Sequence, residues 1–193
     1  MTEALVLIAH PCEESFSADL HRTVVDQLSA RWWEVDNCDL NAEGLSPVLT
    51  AADLRACLDA GPNMAPVQGY VDRVLAAGAL VPVFPVWNVG LPAILKGFFD
   101  QVLLPGVSFR LEDGLVKPNP TRIRKLAAVT THGGTRMRAL LAGDPPRHGV
   151  KHTIWHVGRP EYLRYLALYD MNRATNAHWG AFLGRVGSEM GRL

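Results

Sequence analysis

Residues 4–17 read Ala4-Leu5-Val6-Leu7-Ile8-Ala9-His10-Pro11-Cys12-Glu13-Glu14-Ser15-Phe16-Ser17, an apolar run of strand length followed by a short polar turn. An unbroken apolar run of about six residues suits a strand buried on both faces of a parallel sheet, not a one-sided antiparallel strand. Helical spacing takes over at once. Leu20, Val24, Leu28 and Trp32 recur every fourth residue from Ser17 to Trp32, as on one helix face.

The same alternation continues along the chain. Trp33–Leu40 reads as a second strand, and Thr50–Leu58 and Pro66–Ala77 read as helices. Ala79–Phe84 is the next apolar strand, although Pro82 offers no amide to a ladder in mid-sheet. Leu91–Leu103 reads as a helix, and Asp113-Gly114 within Phe109–Val116 marks a hairpin. Leu126–Thr131 is a buried strand, Arg164–Asn172 the last one, and Asn176–Leu193 a closing amphipathic helix with Trp179, Phe182, Leu183, Val186 and Met190 on one stripe. Strands alternating with helices predict one α/β domain over residues 1–193, a doubly wound sheet of five parallel strands with helices on both faces and a hairpin excursion near 108–117. Such sheets bind ligands beyond the carboxyl ends of their strands.

Composition narrows the partners. Nineteen basic and nineteen acidic side chains give a formal net charge of zero. The pI is near 7.1. That balance argues against a nucleic-acid or anionic-membrane footprint and for a small-molecule ligand. Cys12, Cys38 and Cys57 lack zinc or redox-pair spacing and read as free thiols. The start of the chain has no basic segment ahead of its short apolar run, so the expectation is a cytoplasmic protein without membrane insertion.

Three strand-end segments carry the chemistry. After the first strand, Ser15 and Ser17 lie where a helix N-terminus can hold a phosphate without Lys or Arg; either serine can equally be an N-cap. After the third comes Pro85-Val86-Trp87-Asn88-Val89-Gly90, in which Trp87 either walls a flat ligand or packs in the core. After the fourth comes Thr130-Thr131-His132-Gly133-Gly134-Thr135-Arg136, whose paired glycines allow close backbone approach. The glycine patterns of a Rossmann site or a P-loop are missing. His-Gly-Gly also occurs in esterase oxyanion loops, but no G-x-S-x-G nucleophile elbow accompanies it. His148, His152 and His156 recur at intervals of four without a carboxylate or cysteine at ligand spacing, so no metal site is assigned.

Taken in order, A-H-P-x-x-x-S-F-S, P-V-W-N-V-G-L-P-A-I-L-K-G-F-F-D-Q-V, G-V-S-F and T-T-H-G-G resemble the DT-diaphorase family of NAD(P)H:quinone oxidoreductases over about residues 4–135. The resemblance implies a flavodoxin-like fold, a homodimer, and a bound FAD, with FMN as the alternative. It implies a ping-pong reaction in which NAD(P)H reduces the flavin and a quinone or similar acceptor, such as a nitro or azo compound, then oxidises it. By matching position, His10, Ser15, Phe16 and Ser17 hold the phosphate. Pro85, Val86, Trp87, Asn88 and Val89 line the ring, and Thr130, Thr131, Gly133 and Gly134 close its other edge. The family's Tyr and His after this loop have no match here. His132 and Arg136 are the candidates for their electrostatic role, and Arg136 and Arg138 could meet a 2′-phosphate. Two other readings share the motifs: a flavin-bearing regulatory subunit of a potassium-efflux transporter, and a flavodoxin carrier, which the neutral charge disfavours.

Overall fold

The computed structural model describes residues 3–56, 63–119 and 121–193. In chain order these form β1 (Glu3–Ile8), α1 (Phe16–Ser29), β2 (Glu34–Asp39), α2 (Ala51–Arg55), α3 (Gln68–Ala76), β3 (Ala79–Val86) and α4 (Ala93–Val102). There follow β4 (Phe109–Glu112), β5 (Leu115–Pro118), β6 (Lys125–His132), α5 (Arg136–Leu141), α6 (Pro145–Gly158), β7 (Tyr162–Leu168) and α7 (Asn176–Met190). The main sheet has the order β2-β1-β3-β6-β7 with every neighbouring pair parallel. It is the doubly wound five-stranded sheet that the strand–helix alternation predicts.

Two apolar cores lie on its two faces. One joins Leu20, Val24 and Leu28 of α1 and Phe182, Val186 and Met190 of α7 to Val6, Val81 and Val129 of the sheet. On the other face Val71 and Val74 of α3, Leu95 and Phe98 of α4 and Val150 of α6 pack on Leu5, Leu7, Leu80 and Phe84. The buried strands are apolar throughout because both faces of the sheet are covered.

Pro82 sits in the central strand after all. Its pairing with β1 is continuous through Leu7↔Pro82, while pairing with β6 runs through Ala79 and Leu80 and resumes at Val83. The missing amide is thus absorbed as a gap on the β6 side. The hairpin β4–β5 turns at Asp113 and Gly114, with φ of 53° and 74°. That is the two-residue turn with both centres left-handed.

Several boundaries differ from the sequence reading. The first helix ends at Ser29, not Trp32, and Trp32 leaves the apolar stripe altogether, 88% exposed with φ 66°. The Trp33 amide donates to the Leu28 carbonyl at 3.3 Å and closes the helix through that left-handed residue. Since a glycine there has no Cβ strain and the indole packs on little, Trp32→Gly is expected to stabilise the fold by about 1 kcal/mol. A urea midpoint unchanged or lowered would contradict this. The last strand ends at Leu168, not Asn172, because Asp170 turns left-handed at φ 64° and a 3-10 turn over Met171–Arg173 follows.

Two helices, α5 and α6, have no counterpart in the sequence reading. The helix expected over Thr50–Leu58 begins with a Thr50–Asp53 capping box and ends at Arg55 with Ala56 as its C-cap, while Cys57 and Leu58 lie outside the described residues. Cys12 is exposed and Cys38 buried, both as free thiols. No helix among the described residues is long and apolar enough to cross a membrane.

Gly97 sets how closely α4 approaches the loop at Pro47. A β-carbon there would stand 2.4 Å from the Pro47 Cα and 2.6 Å from its carbonyl oxygen. Lys96 and Asp100, one turn apart on the outer side, form an ion pair. The Leu-Lys-Gly-x-x-Asp pattern therefore builds a helix-to-loop contact.

Candidate active site

From β1 the chain turns to β2 on one side, and it returns to β3 on the other. Where strand order reverses, the carboxyl ends of neighbouring strands leave a crevice that helices do not fill. The loops after β1 and β3 flank it.

In the first loop, His10 Nδ1 accepts a hydrogen bond from the Cys12 amide at 3.0 Å, which fixes the ring. Ser15 is the N-cap of α1, extended at φ −76° and ψ 154°, and its Oγ accepts from the Ala18 amide at 3.2 Å. The capping reading of Ser15 is the one realised. Phe16 and Ser17 are the first two helical residues, whose amides find no acceptor within the helix. Phe16 is stacked on Trp179 at 5.5 Å, and Ser17 is buried.

The second loop is a tight turn. Trp87 and Gly90 exchange backbone hydrogen bonds of 3.2 and 2.8 Å, with Asn88 at φ 48° and Val89 at φ 63°. A β-branched residue in that region is strained by about 1–3 kcal/mol. Trp87 is 46% exposed, so it does not serve as core packing. Its ring lies 5.7 Å from the His10 ring across the crevice.

The third segment is more strand than loop. β6 runs through His132, and Thr130, Thr131 and His132 pair with Phe84, Pro85 and Val86. Pro85, Thr130 and Thr131 are buried in the sheet. His132 is 5% exposed; its Nε2 lies 3.2 Å from the Tyr165 hydroxyl, and its ring lies 4.5 Å from that of Tyr169. The Arg147 guanidinium sits over the Tyr165 ring at 4.9 Å and pairs with Asp144 at 3.0 Å. Asp170 donates its amide to the Gly134 carbonyl at 2.8 Å, which ties the glycines to the end of β7.

Burial pushes the His132 pKa below 6.5, with Asp144 pulling it up and Arg147 pushing it further down. His21 is lowered in the same way, chiefly by burial. Both imidazoles are therefore neutral in the fold at a pH where the unfolded chain begins to take up protons. Their contribution is present above about pH 6.5 and is lost as pH falls through the lower folded values. The urea midpoint should fall between about pH 7.5 and about pH 5.5, and less so in His132→Gln; a flat midpoint over that range would refute the assignment.

A cavity of about 390 Å³ opens between the second and third segments, lined by Val86, Asn88, Val89, His132, Gly133 and Gly134. Arg138, Asp144 and Asn172 are also part of its wall. Arg138, not Arg136, lines it; Arg136 is exposed at the start of α5. Ser15, Phe16 and Ser17 lie off this cavity, and a second cavity of about 410 Å³ adjoins the first loop on the β2 side, with His10, His21 and Asp39 in its wall. Asp144, Tyr165 and Tyr169 escaped the sequence reading. Their position beside His132 has no local signature in the sequence. His148 and His152 stack at 5.7 Å on α6, and the side chain of His156 lies outside the described residues.

Unpaired helix amides, an exposed flat aromatic and a glycine-lined cavity suit a planar, hydrogen-bonding ligand that carries phosphate. Residues 2–180 match the family described as having a flavodoxin-like fold. NAD(P)H dehydrogenase (quinone) 1 of Rattus norvegicus is 27% identical over 71% of this chain and 56% of its own length. Ribosyldihydronicotinamide dehydrogenase (quinone) of Homo sapiens is 29% identical over 78% of this chain and 75% of its own. The chain thus spans little more than half of the rat protein. A solved NAD(P)H:quinone oxidoreductase from Methanothermobacter marburgensis superposes with a TM-score of 0.85 at 21% identity over 98% of both chains. An FMN-dependent NADH-azoreductase from Bacillus anthracis, solved with FMN, gives 0.80 at 16% identity over 100% of this chain and 99% of that one.

Proposed function

We propose that this chain, which belongs to the flavodoxin-like fold family, is a flavin-dependent NAD(P)H reductase of quinones or azo compounds. One observation carries the reading: the free amides of the α1 N-terminus, the exposed Trp87 and the Gly133–Gly134 backbone follow the carboxyl ends of β1, β3 and β6, three neighbouring parallel strands, and so stand at one end of the sheet. The names of the relatives, quinone dehydrogenases and azoreductases, agree with it.

Phe16 and Ser17 would offer their amides to the phosphate, with Ser15 holding the helix end open for it. Val86, Asn88 and Val89 of the cavity wall, with the exposed Trp87 in the same turn, would wall one side of the ring, and Gly133 and Gly134 would admit its other edge. Pro85, Thr130 and Thr131 act from the sheet beneath as supports. When bound, the flavin supplies hydride chemistry that no side chain here can perform. His132, neutral and held by Tyr165, would keep a hydrogen-bonding nitrogen at the cavity wall. Arg136 and Arg138 would add positive charge at the mouth. FAD is the proposed form on the strength of the DT-diaphorase resemblance, with FMN as the alternative.

The 193 residues would then form one cytoplasmic domain. A homodimer fits the exposed apolar side chains of two neighbouring segments, Trp87 and Val89 in the turn after β3 and Met137, Leu140 and Leu141 on α5, the last 82% exposed.

The test is direct. Purified protein should be yellow, bleach on anaerobic addition of NADPH or NADH, and regain colour with a quinone or an azo dye. Mass analysis of the released nucleotide decides between FAD and FMN. Protein that takes up neither flavin sinks the proposal; flavin that stays oxidised under both nucleotides moves the chain to the regulatory reading. His132→Ala and Arg136→Ala with unchanged bleaching rates would remove both from the catalytic role.

A further inference from the structure

Charge around the glycine-lined cavity does not balance. Asp144 in its wall pairs with Arg147 at 3.0 Å, and Asp170, whose amide holds the Gly134 carbonyl, pairs with Arg173 at 2.6 Å. Both carboxylates are thereby neutralised. Arg138, also in the wall, forms no ion pair with any described residue, and its guanidinium donates no hydrogen bond to one. A full positive charge is left over at the cavity.

The backbone fixes where that charge stands. Thr135 caps α5, and its Oγ1 accepts from the Arg138 amide at 3.3 Å. The Arg138 stem then lies along Gly134, where a β-carbon would meet its Cδ at 3.7 Å and its Cβ at 3.8 Å. Asn172, in the 3-10 turn after β7, covers Gly133 in the same way, with Nδ2 and Oδ1 each 3.6 Å from the place of a β-carbon. Its carboxamide, too, has no hydrogen-bond partner among the described residues. Adjacent glycines thus carry one unpaired cation and one unpaired amide, contributed by two different elements. Both side chains are exposed as well as in the wall, so an incoming group reaches their donors without displacing the chain.

A guanidinium offers parallel N–H groups that match two oxygens of an anion, and a carboxamide NH2 adds a further donor beside it. A neutral carbonyl uses one such bond and leaves the charge unmatched. A carboxylate, sulfonate or phosphate uses several and balances it. We propose that Arg138 and Asn172 form an oxyanion subsite in this cavity, which selects nucleotides or acceptors that carry an anionic group; the assignment rests on the flavin-reductase reading above. The oxyanion has two possible sources, the 2′-phosphate of the donor nucleotide and an acid group on the acceptor.

Two paired calorimetric titrations of the oxidised, flavin-loaded protein distinguish them. The first compares NADP+ with NAD+, and the second compares an azo dye bearing a ring carboxylate, methyl red, with its methyl ester. In wild type the anionic member of at least one pair should bind about tenfold more tightly or better, and that pair identifies the source. Arg138→Met should bring the ratio to about one, and Asn172→Leu should lower it in part. Arg138→Lys, which keeps the charge but loses the planar fork, should give an intermediate ratio. Arg136→Met should hold the ratio within about twofold of wild type, since that arginine lies outside the cavity wall. Equal affinities within both wild-type pairs overturn the assignment, as does a ratio that survives Arg138→Met. A fall as large in Arg136→Met as in Arg138→Met also overturns it, because diffuse surface charge would then be the cause. Protein that takes up no flavin overturns the underlying reading instead.

Discussion

Gly97→Ala should unfold this protein or leave it barely stable, although alanine is the better helix former. In an exposed helix the exchange would gain about 1 kcal/mol. Here the new methyl would meet the Cα and carbonyl oxygen of Pro47 at 2.4 and 2.6 Å, both backbone atoms that cannot swing aside as a side chain would. Either α4 moves away from the Leu95–Phe98 core or the chain at Pro47 shifts, and Gln101 loses its hydrogen bond to the Ser46 carbonyl. Overpacking of this kind costs about 3 kcal/mol or more, a large part of the about 5–15 kcal/mol that separates folded from unfolded states. Urea denaturation of Gly97→Ala beside Lys96→Ala is the measurement. The lysine variant removes only an exposed ion pair and should lose less than about 1 kcal/mol. A midpoint for Gly97→Ala within that same margin would show that the contact is soft.

The second large effect is on ligand affinity with the fold untouched. Ser15→Asp should keep or slightly raise stability while flavin uptake falls roughly 100-fold. Aspartate caps a helix as well as serine does, and a negative charge at an N-terminus is favourable. The Ala18 amide that bonds to Ser15 Oγ would therefore find an equivalent oxygen. The phosphate proposed to sit on the Phe16 and Ser17 amides would meet a like charge. Two unit charges about 5 Å apart at an effective dielectric of about 20 repel by about 3 kcal/mol, which is the factor of roughly 100. Equilibrium dialysis against FAD and FMN, with melting temperatures in parallel, checks both halves. A stable Ser15→Asp protein as yellow as wild type would place the phosphate elsewhere.

Both predictions concern motifs that were visible from the start, and they show two degrees of legibility. The run from Ser15 to Ser17 could be read almost completely, because a cap and its free amides are local chemistry within three residues. The Leu-Lys-Gly-x-x-Asp pattern was visible as a family mark, but its task was hidden. Gly97 answers to Pro47, fifty residues earlier, and no pattern around either residue announces the other. The Thr130–Gly134 segment falls between. Its glycines were legible as a close approach, while its division into buried strand and exposed turn depended on pairing with β3.

Trp32 and α6 failed for opposite reasons. Spacing put Trp32 on the buried stripe because a four-residue recurrence cannot say where a helix stops; the left-handed turn at φ 66° ended it first. In α6, the Pro145-Pro146 start and the glycines at 149 and 158 hid the helix, which among its described side chains places Val150 in the core of this face.

By itself the sequence determined the layered α/β plan, the strand-end loops and the family, because burial on both faces of a parallel sheet imposes continuous apolar runs at regular intervals. Only the tertiary structure decided what surrounds His132. Tyr165, Tyr169, Arg147 and Asp144 reach it from 12 to 37 positions along the chain, over β7 and the start of α6. Contacts at that separation depend on strand order, and periodicity within one segment carries no record of its neighbours.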